Sequence, residues 1–201
     1  MEVTDHRQIP GFFCDEDYDA VERIVALLPD SGRMIEVGCL MGRSTTGWAE
    51  AFRKAGKTFS IHAIDGFAAV YRRYAEHLSG DPELIRQAIE PEQSQESLFA
   101  AFTRNYPNIS YRKERFSTDL EWSGPLHCVF EDSDHADATL RVALPFWWDK
   151  LDAAGVLCGH DYDPSESAVV KNVDEFAAQR GCTVQTYPGS SVWSIQKPAA
   201  S

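Results

Sequence analysis

The chain has no apolar run approaching the roughly 18 residues that a membrane-spanning helix needs. Its start, Met1-Glu2-Val3-Thr4-Asp5-His6, carries neither the basic nor the apolar stretch that directs secretion. Together these absences predict a soluble, cytoplasmic, unanchored protein. Positive charge is scarce as well. Nineteen Lys and Arg stand against 31 Asp and Glu, and the formal net charge of −12 repels phosphate backbones and anionic lipid at long range. Nucleic acid and membrane are therefore disfavoured as partners. Paired cysteines are missing too: Cys14, Cys39, Cys128, Cys158 and Cys182 are odd in number, widely spread and form no C-x-x-C motif, as reduced cytosolic thiols do. Cys39, Cys128 and Cys158 sit in or beside apolar runs and read as small core residues. No repeat or low-complexity segment breaks the chain, and 201 residues with 43% hydrophobic content predict one domain over 1–201.

The rest can be arranged around one stretch, Met34-Ile35-Glu36-Val37-Gly38-Cys39-Leu40-Met41-Gly42-Arg43-Ser44-Thr45. It reads as a buried strand, a glycine turn and a helix start. Gly38 and Gly42 leave the backbone without a Cβ, and Ser44 or Thr45 can cap the helix that follows. Backbone N–H groups of such a turn can approach a polar ligand beside a helix N-terminus. A helix over 17–28 precedes it, with Tyr18, Val21, Ile24, Val25 and Leu28 on one face, and Pro29-Asp30-Ser31-Gly32 stops it. Trp48, Ala51, Phe52 and Ala55 mark a second helix that Gly56 ends. A second strand over 59–64 runs into Asp65-Gly66. Asp65 is a turn-former by its dipeptide; by its place after strand two it is an acid able to accept hydrogen bonds from both hydroxyls of a ribose.

Segment 67–95 differs in character, with Tyr71, Arg72, Arg73, Tyr74 and His77, then Gly80-Asp81-Pro82 and Pro91. It predicts short helices with a break, inserted as a lid or substrate wall or as a solvated excursion. A helix over 96–105, a strand over 109–112 and a loop through Glu114-Arg115-Phe116-Ser117 follow. The apolar strand 126–130 ends in Glu131-Asp132-Ser133-Asp134-His135. Leu140, Leu144, Trp147, Trp148 and Leu151 give a helix that Pro145 bends and Ala153-Ala154-Gly155 closes. Strand 156–159 ends in His160-Asp161-Tyr162-Asp163. A helix over 165–180 and a hairpin of strands 183–187 and 191–196, turning at Pro188-Gly189-Ser190, complete the chain.

Strands alternating with helices predict an α/β fold, a parallel sheet with helices on both faces that binds ligands outside the carboxyl ends of its strands. Five polar clusters follow apolar strands directly and so share that edge. The pattern from about Met34 to Gln196 resembles class I S-adenosylmethionine-dependent methyltransferases. Glu36-Val37-Gly38-Cys39-Leu40-Met41-Gly42 is similar to their acidic, glycine-spaced first motif, and Asp65 to their ribose-binding acid. The D-x-D-H strand end at 132–135 and the G-H-D-Y strand end at 159–162 resemble a subgroup of small bacterial O-methyltransferases acting on sugars and natural products. The resemblance implies a Rossmann-like, doubly wound, mostly parallel seven-stranded sheet in the order 3-2-1-4-5-7-6, its last strand antiparallel. It also implies S-adenosylmethionine as cofactor, with Glu36 at the methionine end and Gly38, Gly42 and Ser44 along its path. Asp65 would hold the ribose, Phe116 and Ser117 would flank the adenine, and Asp132 would lie beside them.

Related catechol-type enzymes hold Mg²⁺ with one Asp after strand four and an Asp-Asn pair after strand five. Asp132 and Asp161 match the two acids, and Tyr162 stands where the Asn is expected. His160 or Asp134 would then complete the set, and a histidine ligand favours an ion softer than Mg²⁺, either Mn²⁺ or a zinc-like ion. The ion would lower the pKa of an acceptor hydroxyl. Without a metal, Asp132 is a helix cap and His160 a packing residue. His135 is either a general base or a scaffold for the Asp132 loop. The expected reaction is O-methylation of a small-molecule hydroxyl, with Asp132, His135, His160 and Asp161 around an acceptor that Tyr71, Arg72, Arg73 and Tyr74 suggest is polar, anionic or aromatic. The rivals are a nicotinamide-dependent oxidoreductase, for which the turn reads Gly-x-x-x-Gly instead of Gly-x-Gly-x-x-Gly, and a noncatalytic binding module. The lid aromatics and Trp147-Trp148 offer a homodimer surface.

Overall fold

The computed structural model describes residues 5–90 and 92–199. The expectations for Met1 to Thr4 and for Pro91 fall outside them. At the centre of the fold, β1 (Ser31–Val37) lies parallel to β4 (Leu126–Glu131), with Met34 opposite Cys128 and Ile35 opposite Val129. Both strands are buried on both faces, which is why they read as continuous apolar runs. Around them stand β2 (Thr58–Asp65), β3 (Ile109–Lys113), β5 (Leu151–Gly159), β6 (Gln185–Thr186) and β7 (Trp193–Gln196). The order is β3-β2-β1-β4-β5-β7-β6, parallel except that β7 runs antiparallel to β5 and β6. This is the predicted topology.

Alternate residues of the strands serve two separate cores. Met34, Phe59, Ile61, Cys128, Phe130 and Cys158 pack under α1 (Asp15–Leu27) and α2 (Arg43–Lys54), with Tyr18, Ile24, Trp48 and Phe52. Ile35, Val37, Val129 and Leu157 pack on the other face against α5 (Asp137–Lys150) and α6 (Ser167–Gln179). Trp147 and Trp148 belong to this second core and are 0% and 5% exposed, so they are not the dimer surface expected of them. Burying an indole removes more apolar area from water than its one N–H costs once that N–H is paired.

Two boundaries differ from expectation. The first strand begins at Ser31, because Ser31 and Gly32 pair with Thr58 and Phe59 instead of ending the preceding helix. Ala153-Ala154-Gly155 is not the close of α5: the helix stops at Lys150 and these residues lie within β5, where Ala154 takes a left-handed φ of 61°. The expected insertion contains a 3-10 run, Val70–His77, and α3 (Pro82–Ala88), followed by α4 (Gln95–Thr103). Within it, Tyr71 donates from its hydroxyl to the Ala88 carbonyl, and Arg72 donates to the carbonyls of Glu90 and Gln93. Tyr71 and Arg72 thus hold the segment together and are not presented to an acceptor. Residues 114–125, between β3 and β4, contain no helix.

Candidate active site

The strand ends bring the glycine turn, Asp65 and the two acidic-histidine clusters to one edge. Gly38, Leu40 and Gly42 have φ of 85°, 51° and 93°, three left-handed residues at alternate positions, a conformation the two glycines adopt without strain. Gly42 occupies the N-cap of α2, and Ser44 and Thr45 do not cap it. Instead their hydroxyls donate to the buried Glu36 carboxylate, Ser44 at 2.6 Å. Burial pushes Glu36 up to about 7, and the two hydroxyls oppose the rise. Asp65 Oδ2 accepts the backbone N–H groups of Cys39 at 3.1 Å and Leu40 at 3.0 Å. Its Oδ1 accepts from the Phe67 N–H at 2.5 Å and, at 3.5 Å, from the Gln95 side-chain amide. The acid after strand two therefore shapes the glycine turn itself. Gln95 is a part of this corner that sequence reasoning missed: its side chain also donates to the Leu40 carbonyl and accepts from the Ala69 N–H. Phe116 packs edge-on against Phe146, with Ser117 exposed beside it.

Asp132, His135 and Asp161 each offer one ligand atom, and these atoms lie within 4.8 Å of one another. His135 Nε2 is 2.9 Å from Asp161 Oδ2, and its Nδ1 is 3.4 Å from Glu166 Oε2. The Asp161 hydrogen bond, against the effect of burial, raises His135 to about 9, so it is an imidazolium at neutral pH and not a ready base. Burial drives Asp161 upward, but the bonds from His135 and His160 outweigh it and leave its carboxyl well below the ordinary range. Asp132 behaves oppositely: burial raises its carboxyl well above the usual value, with His160 opposing and Asp161 reinforcing. The space bounded by Asp132, His135 and His160 is closed to about 10 Å³, room for one water or ion.

His160 was expected among the ligands, but it does not join this cluster. It is almost fully buried, with Nε2 3.2 Å from Asp17 Oδ2 and Nδ1 3.3 Å from Asp161 Oδ1, so both ring nitrogens are engaged. Asp134 also stays out, because its carboxylate accepts from the Ala136 N–H and the Thr139 hydroxyl at the start of α5. Tyr162 turns away and donates to Asp174 on α6 at 2.7 Å. Glu131 is a buried acid the sequence reading left without a role. It accepts from Trp147 Nε1 at 2.9 Å and from Ser133, and burial pushes it up to about 7. A carboxylate six residues before a helix that carries an inward indole is the only signal the sequence offered for it.

The larger cavity, about 430 Å³, lies elsewhere, over Arg33, His62, Ser110 and Arg112 on β1, β2 and β3 and under Glu121 and Trp122. The link from β3 to β4 puts no helix over this corner of the sheet, and the Asp132, His135 and Asp161 cluster does not line it.

The profile of the methyltransferase domain family matches residues 35–162, from β1 through the second acidic-histidine cluster. No curated protein matches the chain. Among solved structures, the chain is similar to a precorrin-6y C5,15-methyltransferase from Geobacter metallireducens, with TM-score 0.62, 12% identity, and 97% of this chain and 94% of that one covered. A protein from Corynebacterium glutamicum gives TM-score 0.61 and 12% identity over 94% and 82% of the two chains. An O-methyltransferase from Bacillus cereus, solved in complex with SAH, gives TM-score 0.54 and 13% identity over 92% and 82%. At these identities the likeness is one of fold. The profile, however, spans well over half of the sequence and takes in both the glycine turn and the paired strand ends, so this chain belongs to the methyltransferase domain family, a family of transferase enzymes.

Proposed function

We propose that this methyltransferase uses S-adenosylmethionine to methylate a hydroxyl of a small molecule, assisted by a divalent cation held by Asp132, His135 and Asp161. The observation that carries the reading is the convergence of two carboxylates and an imidazole within 4.8 Å at the strand edge, directly beside the glycine turn. The O-methyltransferase neighbour in complex with SAH supports the cofactor, and the net charge of −12 favours a small acceptor over nucleic acid.

In this reading the left-handed turn from Gly38 to Gly42 carries the cofactor's backbone path, with Glu36 and the Ser44 hydroxyl beneath its methionine end. Ribose hydroxyls compete at Asp65 for the place of the long 3.5 Å bond from Gln95, the weakest of that carboxylate's partners. Phe116 and Ser117 stand at the adenine end. The acceptor oxygen attacks the methyl carbon in line. The carbon–sulfur bond breaks, its electron pair passes to sulfur, and the sulfonium becomes a neutral thioether. The hydroxyl proton leaves to water at the open side of the site, because Asp132 serves there as a ligand. When bound, the cation lowers the pKa of the acceptor hydroxyl and fixes its oxygen. Asp161 and His135 hold the acceptor end rigid, so that the protein contributes chiefly orientation.

Calorimetry tests the assignment. S-adenosylhomocysteine should bind the purified protein and NAD should not. Binding of NAD with no uptake of S-adenosylhomocysteine would overturn the reading.

A further inference from the structure

Four contacts form a single line of alternating carboxylates and imidazoles. It runs from Asp17 Oδ2 to His160 Nε2 at 3.2 Å, from His160 Nδ1 to Asp161 Oδ1 at 3.3 Å, from Asp161 Oδ2 to His135 Nε2 at 2.9 Å and from His135 Nδ1 to Glu166 Oε2 at 3.4 Å. Its inner end is buried and its outer end is at the surface. We propose that Asp17, contributed by α1, and His160, directly after β5, are positioning residues for the Asp161–His135 pair.

The inner pair is built to stay still. Besides His160, Asp17 accepts the Cys14 N–H at 2.8 Å and the Ser190 hydroxyl at 2.7 Å, which fixes both of its oxygens. The side chains of Asp17 and His160 are 2% and 8% exposed. Burying such a pair is a poor route to stability, because well-packed apolar residues of the same volume do as well or better. What the pair does is local. Asp161 has a left-handed φ of 61°, a conformation disfavoured for any residue with a side chain, and its carboxylate is gripped by one imidazole on each oxygen. Without His160, only His135 would set the direction of that carboxylate, and His135 is the group the pair has to aim.

The segment ahead of α1 is tied to the cofactor turn as well. Arg43, immediately after Gly42, donates to the carbonyls of Phe13 and Ile9 at 2.8 Å each, and to that of Arg7. The Phe13 ring lies 5.2 Å from the His160 imidazole. One arginine at the start of α2 thus holds the segment whose next residues reach the acceptor end. Asp17 and Ser190 both lie outside the 35–162 stretch that defines the family, and 143 residues separate Asp17 from His160.

The test is nuclear magnetic resonance of the imidazole nitrogens in histidine-labelled protein, with Mn²⁺ binding as a second readout. Only the second rests on the cation reading. In Asp17→Asn the ring resonances of His160 and of His135, three contacts from Asp17, should both move. Mn²⁺ should bind about 10–100-fold more weakly, as for other groups that orient a metal ligand, with S-adenosylhomocysteine binding unchanged. A shift confined to His160, with His135 in place and only the melting temperature lowered, would reduce Asp17 to a packing residue and overturn the proposal. If the unmodified protein takes up no Mn²⁺, the cation reading fails alone, and the His135 resonances still decide this one. Should Asp17→Asn not fold, Ser190→Ala, which loosens Asp17 without removing it, is judged by the same His135 resonances.

Discussion

A Cβ placed on Gly38 would lie 2.0 Å from the carbonyl oxygen of Asp132, so the glycine turn and the polar end of β4 meet backbone to backbone. Gly38→Ala would force the Asp132 loop away in addition to straining a left-handed residue. The expected loss is several kcal/mol, well beyond the ~1 kcal/mol of left-handed strain alone. Gly56→Ala is the control, since Gly56 has a similar φ of 69° and nothing within 4 Å of its Cβ position. Equal melting temperatures for the two variants would show that the contact carries no weight.

Asp65→Ala would leave the Cys39 and Leu40 N–H groups without their acceptor. It should cost about 1–3 kcal/mol for each donor that water does not reach, and most of the affinity for S-adenosylhomocysteine. Chemical denaturation measures the first and calorimetry the second. Lower stability with intact affinity would confine Asp65 to shaping the turn.

Glu36 and Glu131 give the protein a definite response to pH. Both fold with pKa values raised by burial from 4.5 to about 7, so the native state binds more protons than the unfolded chain between those values. Stability should therefore fall as pH rises from 4.5 through about 7. His135, raised from 6.5 to about 9, acts in the same direction, its contribution being lost as pH climbs through about 9. Asp17 acts oppositely, because its folded pKa of about 2 lies below the ordinary 3.8 and its share disappears only as pH falls through about 2. Urea midpoints at several pH values test this, and Glu131→Gln should flatten the decline. A rising midpoint from pH 5 to 8 would contradict it.

Cation binding should release a proton. The His135 ring must give up a hydrogen to act as a ligand, and burial-opposed hydrogen bonding raises it to about 9, so affinity for Mn²⁺ should weaken roughly tenfold per pH unit below that value. Asp161→Asn should abolish tight binding, whereas Asp134→Asn, at a residue engaged with the start of α5, should leave it in place. Calorimetry in buffers of different protonation enthalpy separates the proton from the ion. PH-independent binding would exclude His135 as a ligand.

Arg43→Leu removes three donors from the carbonyls of Arg7, Ile9 and Phe13. Each hydrogen bond from a charged group is worth about 1.5–3 kcal/mol, and the loss should appear first as faster proteolysis ahead of α1. A cleavage rate equal to that of the unmodified protein would mean that α1 alone anchors the segment.

The strand runs and the polar residue ending each strand were readable in the sequence, because central parallel strands are apolar on both faces and ligand-side ends are not. The strand order and the antiparallel last strand came with the family resemblance. What could not be read depended on long-range contacts. Asp17 reads as an ordinary first-turn acid of a helix, and only the fold sets it against His160. Trp147 reads as an aromatic free to make an interface until Glu131 is seen to accept its N–H. Ala153-Ala154-Gly155 has the composition of a helix end, yet it is the irregular stretch of β5 between Leu151 and Val156, which pair with β4 on either side of it. His160 and His135 look interchangeable in sequence. Burial and the positions of three carboxylates separate them, turning one inward toward Asp17 and the other outward between Asp161 and Glu166.

The link from β3 to β4 contains no helix, and β3 is a border strand of the sheet, with Ser110 through Lys113 exposed. A bare strand edge invites pairing with a second chain, which is how aggregates begin. Here the strand is only five residues long and ends in the two cations Arg112 and Lys113, while the opposite border, β6, has two residues. A border strand this short, ending in charge, offers a second chain little edge to pair with.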